Sequence, residues 1–378
     1  MRKLRVAVVG LGHRGRHLLR LAADGFSCVD PVAACDIREA NWFEQQWLQD
    51  KAMAELLPNT KFYLDYDQML EEPGLDAVIV ETGADIHADF CRKALDRNIN
   101  VLSDIPVVAN LQEADYLWKA ANSSKAIISV GANPNEAKFS RVLLDLFQRG
   151  FLGKPYCLEA EYIHWSLPGS ASHKHLNENG DWRKLLSPIR YCTHSLGPLL
   201  AIVEEDLIRV SCFGTGQHAD DYEPGVTKDD MVCAQFQTAS GVVIRLMRNG
   251  RCRAEIGHHN YRVFGTEGYF ERIDQRGANA PVIRYNSTKY YPASNLVEQP
   301  GDYMPFEYQQ DAKATGHGGI DYAMLDHFFQ ALLRKEPAPI SLREGLRMTL
   351  PGIYAEKSAK LGGAVLEMRY PWNDDWEI

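Results

Sequence analysis

Tyr191 and His194 stand three residues apart in the stretch Arg-Tyr-Cys-Thr-His-Ser-Leu-Gly-Pro, 190–198. On a helix that spacing sends both side chains off one face, one turn apart. A phenol beside an imidazole can pass protons, and such a pair can also simply pack and hydrogen-bond. Tyr162 and His164 lie two apart, the spacing that shares one face of a strand. A different chemistry is written near the N-terminus. Gly10-Leu11-Gly12-His13-Arg14-Gly15 follows an apolar run and opens a helix-like stretch, and Asp36 ends a second apolar run. Glycines so placed let the backbone approach a pyrophosphate, the helix N-terminus favours its charge, and the acid accepts from ribose hydroxyls. The pattern predicts NAD. Asp36 would repel the 2′-phosphate of NADP, although Arg38 close by keeps NADP as the lesser alternative.

The elements that must hold these residues change character along the chain. In the first third, short apolar runs alternate with helical spacing: LRVAVVG (4–10), VDPVAACD (29–36), DAVIVET (76–82), INVLS (99–103) and AIISV (126–130). That alternation predicts a doubly wound parallel sheet, a Rossmann-type domain over residues 1–131. Beyond it come longer alternating strands, 156–165, 231–237, 241–249 and 261–265, which predict an α/β domain over 132–378 with a large, open, mostly antiparallel sheet. Two closing helices, 318–334 and 341–358, are expected to pack back toward the first domain. Residues 166–190, rich in Gly, Ser, His and Asn, read as a long loop of the kind that serves function.

Composition narrows the class. The 378 residues carry a net charge of −9 with no basic run, which argues against a nucleic-acid surface. No apolar stretch approaches the length of a membrane span. The opening MRKLRVAVVG runs into Gly-x-Gly rather than a small-residue cleavage site, so no signal peptide is read. The eight cysteines show no C-x-x-C, and a cytoplasmic protein with reduced thiols is expected. His173, His175, His258 and His259 lack the carboxylate spacing of a metal site, and none is expected.

The glycine loop and Asp36, together with Asp65-Tyr-Asp-Gln-Met-Leu, Glu81-Thr-Gly-Ala-Asp-Ile-His-Ala and Gly265-Thr-Glu-Gly, resemble the Gfo/Idh/MocA oxidoreductases. The resemblance implies cofactor contacts from Gly10, Gly12, His13, Arg14, Gly15, Asp36, Thr82, His87, Asp104, Pro106 and Asn133. The usual member has Glu-Lys-Pro after the fifth strand; here Asp104-Ile105-Pro106 stands there, and the catalytic lysine is absent. The usual Asp four residues before the catalytic histidine is here Arg190. One branch, the redox-assisted glycosidases such as glycoside hydrolase family 109, also lacks the lysine. It carries Tyr-x-His, then Tyr-x-Thr-His-x-Leu-Gly-Pro, then His-Gly-Gly-x-Asp. This chain matches with Tyr162 and His164, with 191–198, and with His317-Gly318-Gly319-Ile320-Asp321.

That resemblance implies Tyr162, His164, Tyr191 and His194 as catalytic residues. Oxidation at C3 of a sugar gives a ketone, the ketone acidifies C2–H, and a base removes that proton. The C1 group then leaves by elimination, water adds to the enone, and C3 is reduced again. His194 is expected at the C3 hydroxyl, Tyr191 near C2, and Tyr162 with His164 at C1 or on hydroxyls. Trp165, Trp182, Arg190, His317 and Asp321 are expected to bind the sugar, and Lys174, Arg183 and Arg190 would suit an acidic one. Two other functions stay open: a sugar or polyol dehydrogenase that releases NADH, and a dinucleotide-binding sensor without turnover. The partner is expected to be a small carbohydrate, and the apolar face of strands such as GVVIRLMRN (241–249) predicts a homodimer or homotetramer.

Overall fold

The computed structural model describes residues 2–46, 51–164, 186–218, 228–252, 259–274, 281–290, 295–301 and 317–378. The chain divides into two compact units. The first is Met1–Gly131 with Asp321–Leu346 and Ile378; the second is Ala132–Ile320 with Arg347–Glu377.

The first unit is a parallel sheet with helices. Among the described residues it has strands β1 (Leu4–Val9), β2 (Val29–Cys35), β3 (Lys61–Tyr63), β4 (Ala77–Val80), β5 (Asn100–Ser103) and β6 (Ile128–Val130), in the order β3-β2-β1-β4-β5-β6. Every pairing is parallel. The strand order reverses between β1 and β4, the switch point where α/β sheets bind ligands beyond the carboxyl ends of the strands. Helices α1 (His13–Gly25), α2 (His87–Asp96) and α3 (Leu111–Ser123) cross between strands. Val6, Val8, Leu18, Leu19, Ile79 and Leu102 pack in one core with Met324, Leu325, Phe328 and Phe329. The last four belong to the helix Ile320–Arg334, whose periodic apolar side chains complete this core.

The second unit carries a nine-stranded sheet among the described residues. Its strands are β7 (Pro155–Tyr162), β8 (Leu207–Gly214), β9 (Met231–Thr238), β10 (Val243–Asn249), β11 (His259–Gly265), β12 (Gly268–Ile273), β13 (Val282–Ser287), β14 (Val297–Pro300) and β15 (Leu366–Glu367). They run in the order β14-β13-β12-β11-β7-β10-β9-β8-β15. All neighbours pair antiparallel except β7 and β10, which are parallel. The expected architecture of a doubly wound domain and a mostly antiparallel one is therefore present.

Alternation along β7, β10 and β11 buries Leu158, Ala160 and Tyr162, then Ile244, Leu246 and Arg248, then His259, Tyr261 and Val263. The opposite face is not the apolar surface expected from the sequence. It carries ion pairs: Arg245–Glu159 at 3.0 Å, Arg262–Glu159 at 3.1 Å and Arg284–Glu298 at 2.6 Å. Arg245, Glu159, Arg262, Glu271, Arg284 and Glu298 stand in register on the outward parity, so cross-strand charge pairing lies along that face.

Candidate active site

Each unit gathers its own set of chemistry-bearing residues. In the first, the loop after β1 runs straight into α1. Gly10 has φ +88°, and a Cβ there would lie 2.6 Å from the Glu81 carbonyl group. A Cβ on Gly15 would lie 1.8 Å from the Gly10 oxygen, so only glycine lets helix and loop close. Gly12 differs: a Cβ there would meet nothing within 4 Å, and as N-cap of α1 it supplies no side-chain cap. Gly12 thus leaves room beside the uncapped amide end of α1, the setting that holds a pyrophosphate. Asp36 follows β2 and is almost wholly buried. Its Oδ2 accepts from the Leu11 amide at 2.6 Å and its Oδ1 from the Arg38 amide at 2.8 Å, which ties the acid to the loop. These residues fit a dinucleotide.

The other expected cofactor residues of the first unit lie on α1 or follow its strands. His13 is exposed on the first turn of α1, and Thr82 follows β4. His87 is buried, with Nδ1 3.0 Å from the Pro106 carbonyl and Nε2 2.9 Å from the Thr82 carbonyl, so it staples two loops together. Asn133 is buried in the short turn Asn133–Glu136 of the second unit. Arg14 is the centre of an ion cluster. Its Nε lies 3.5 Å from Glu81 Oε2 and 3.4 Å from Asp104 Oδ1, and its Nη1 lies 3.2 Å from Asp321 Oδ1. His17 Nε2 stands 3.5 Å from Asp321 Oδ2. Burial, and after it the charge of Asp104, pushes the Glu81 carboxyl well above the usual carboxylate range. Asp321, expected at the substrate beside His317, has its side chain wholly buried in this cluster instead. Ile105 is buried where the usual lysine would stand.

The second unit assembles the aromatic and histidine residues. The spacing of Tyr191 and His194 suggested one helix; the structure divides it. Tyr191 closes the short 3-10 turn Pro188–Tyr191, Cys192 intervenes, and His194 lies in the helix Thr193–Leu200. The two rings still meet edge to face, centroids 4.9 Å apart at 83°. Tyr162 ends β7 and His164 lies just past it, their rings 5.9 Å apart. Tyr162 is 6.4 Å from Tyr191 and 5.7 Å from His194, so the four expected catalytic residues form one cluster. The peptide of His164 is held at both ends by Asn249, which accepts from its amide and donates to its carbonyl, each at 2.7 Å. Tyr261 donates to the His194 carbonyl at 2.6 Å. Cys192 lies between Tyr191 and Thr193 in the chain, and burial pushes its thiol up to about 12, which favours the neutral thiol.

Arg190, expected on the substrate, is buried and pairs with Glu356 at 2.8 Å. His317 is exposed, at φ +43° ahead of Gly318 and Gly319. Trp165, His173, Lys174, His175, Trp182, Arg183 and His258 lie outside the described residues. Sequence reasoning missed Arg248 and took His259 only as one of four scattered histidines. Arg248 stands 3.7 Å over the Tyr162 ring and 5.1 Å over that of Tyr191. His259 stacks on Tyr162 at 4.1 Å and 16°. Strand parity was the available signal, since both fall in step with buried apolar neighbours. Among the described residues no group of three His, Cys, Asp or Glu could hold a metal, and no helix is long and apolar enough to cross a membrane.

Comparison with known proteins places both units. Residues 4–132 match the sequence model described as oxidoreductase family, NAD-binding Rossmann fold, and residues 214–372 match that of the glycosyl hydrolase 109 C-terminal domain. The glycosyl hydrolase family 109 protein 2 of Akkermansia muciniphila is 22% identical, over 99% of this chain and 84% of that protein. The alpha-N-acetylgalactosaminidase of Shewanella oneidensis is 22% identical, over 95% of this chain and 83% of its own. Among solved structures, myo-inositol 2-dehydrogenase from Lactobacillus plantarum superposes with a TM-score of 0.75 at 17% identity, over 97% of this chain and 100% of that one, and shares the fold. With a dinucleotide-binding loop in one unit and, in the other, a Tyr–His cluster ahead of the stretch that matches the glycosyl hydrolase 109 C-terminal domain, this chain is an NAD-dependent enzyme that resembles the Gfo/Idh/MocA oxidoreductases and their glycosyl hydrolase 109 branch.

Proposed function

We propose that the enzyme is a glycosidase that oxidises its sugar transiently at C3, with NAD as the cofactor in preference to NADP. The observation that carries this reading is the convergence of Tyr162, His164, Tyr191 and His194 in the unit whose later part, 214–372, matches the glycosyl hydrolase 109 C-terminal domain, in a chain with Ile105 in place of a lysine. Bound NAD supplies the acceptor for the C3 hydrogen and later returns it. His194 takes the proton of the C3 hydroxyl. Tyr191 takes the proton from C2, made acidic by the neighbouring ketone. Tyr162 and His164 protonate the group leaving C1 or hold sugar hydroxyls. Loss of a positioned base costs about 10²–10⁴-fold in rate. Ordinary glycoside hydrolysis needs two carboxyls about 5–10 Å apart across the bond; the Tyr–His cluster supports the other route.

The deciding experiment uses aryl glycosides in D₂O. Phenol release that requires NAD⁺, without net NADH, and deuterium at C2 of the product are expected, with Tyr191→Phe losing most of the rate. Release without NAD⁺ and with protium alone at C2 would refute the reading. The alternative, net dehydrogenation of a sugar or polyol, is supported by the fold shared with an inositol dehydrogenase, and stoichiometric NADH would decide for it. A cytoplasmic homodimer or homotetramer completes the proposal. Phe213 and Tyr156, 61% and 54% exposed, support self-association, and a monomer in light scattering at micromolar concentration would refute it.

A further inference from the structure

Three neighbouring strands of the second sheet set Arg248, Tyr162 and His259 in one cross-strand row. Arg248 of β10 pairs in register with Tyr162 of β7, and Tyr162 pairs with His259 of β11. All three side chains are buried on the same face. The Tyr162 ring has the Arg248 guanidinium carbon 3.7 Å from its centroid and the His259 ring stacked at 4.1 Å. It is flanked by a permanent cation from one strand and an imidazole from the other.

The flanking groups are fixed. Arg248 Nη1 donates to the Tyr162 carbonyl at 3.3 Å and its Nε to the Tyr191 carbonyl at 3.2 Å, which tethers the charge to the backbone of both tyrosines. The His259 carbonyl accepts from the fully buried Arg272, and its Nδ1 lies 3.4 Å from the Tyr261 hydroxyl. The other titratable groups near Tyr162 among the described residues are His164 beyond β7, Tyr191 of the 3-10 turn and His194 of the following helix. The Arg190–Glu356 pair stands beside Tyr191 in the chain.

Burial alone makes a phenol harder to ionise, while a cation within about 4–6 Å favours the charged form. Arginine never gives up its own proton in a protein. A guanidinium held over the ring acts on it in the low dielectric that strengthens such contacts. We propose that Arg248, with His259 as the opposing wall, is the positioning residue that keeps the Tyr162 phenol ionisable and so sets the pH above which Tyr162 no longer holds the proton it would donate at C1. This rests on the proton-transfer reading of the cluster and adds the groups that govern it.

Tyrosine carrying ¹³C at Cζ reads the phenol directly by NMR, with Tyr162→Phe assigning the resonance. The Tyr162 signal is expected to titrate at least one pH unit below the ordinary tyrosine midpoint of about 10. Arg248→Met should raise that midpoint by about one unit or more, Arg248→Lys should recover part of the fall, and the falling limb of glycoside cleavage should move in step. A wild-type Tyr162 midpoint at or above the ordinary value overturns the inference without any variant. So does an unmoved midpoint in an Arg248→Met protein that keeps its circular dichroism and binds NAD⁺. A low Tyr162 midpoint without NAD-dependent cleavage would remove the proposed function and support this inference; cleavage with an ordinary midpoint would remove this inference alone.

Discussion

In the first unit, Arg14, Glu81, Asp104 and Asp321 reach one another from the start of a helix, two strand ends and a segment more than three hundred residues along the chain. In the second, Arg248, Tyr162 and His259 stand in a row because three strands are in register. The first cluster is made of charges that hold each other and frame a loop whose working surface is backbone amide. The second is made of rings and one guanidinium, and its working surface is the side chains themselves. One site is specified by what glycines leave out; the other by which face each side chain takes.

If that contrast is right, the largest loss falls in the second unit. His194→Ala should lower glycoside turnover by about 10²–10⁴-fold while NAD⁺ affinity stays within a factor of two or so, because a general base contributes to rate rather than to dinucleotide binding. Stopped-flow turnover with calorimetric NAD⁺ binding checks both, and an affinity that falls with the rate would show the clusters are not separable in function. Next comes the loop. Gly15→Val forces a side chain against the Gly10 oxygen, and a distortion of about 3 kcal/mol corresponds to about a hundredfold loss of NAD⁺ affinity by calorimetry. Wild-type affinity in that variant would mean that the loop does not bind through its backbone.

A smaller effect tests the acid beyond the loop. Asp36→Ser removes the carboxylate that accepts from Leu11 and Arg38. It should weaken NAD⁺ by about tenfold, in line with about 1–3 kcal/mol for a lost charged acceptor, and narrow the preference over NADP⁺. An unchanged ratio of the two affinities would remove Asp36 as the discriminating group. The smallest effect is on stability. The Glu81 carboxyl is held above its unfolded value of 4.5. The stability it contributes is therefore fully present below that value and is lost as pH rises through the folded one. Glu81→Gln removes that loss, so the melting temperature of the variant should gain on wild type as pH rises above 4.5. The gain is about 2–4 °C per kcal/mol recovered. A pH-independent difference would mean the carboxyl is not held protonated by its surroundings.

The same contrast explains what could be read in the amino-acid order. Gly10, Gly12 and Gly15 fall within six residues, and their chemistry is local, so motif and function coincide. The parallel strands were visible as apolar runs, except Lys61–Tyr63, whose three residues begin with a lysine and are only partly covered. Tyr191 and His194 were found as a pair, but spacing alone does not reveal the change from 3-10 to α geometry at Cys192. Arg248 was hidden by the stretch taken as an apolar outer face. It shares parity with Ile244 and Leu246 and therefore turns inward, while Arg245 turns out to Glu159. The Arg14 cluster has no sequence signal, since Asp321 is joined to it only by the fold.

The register of β7, β10 and β11 also governs how this enzyme can change over generations. The connections outside a strand can lengthen or shorten without moving the row, because its address is counted from strand pairings and not from chain length. One residue inserted within β10 ahead of Arg248 would turn the arginine to the opposite face and bring Met247 into line with Tyr162. Substitution can therefore adjust this cluster by degrees, whereas a single-codon insertion or deletion inside a strand removes it in one step.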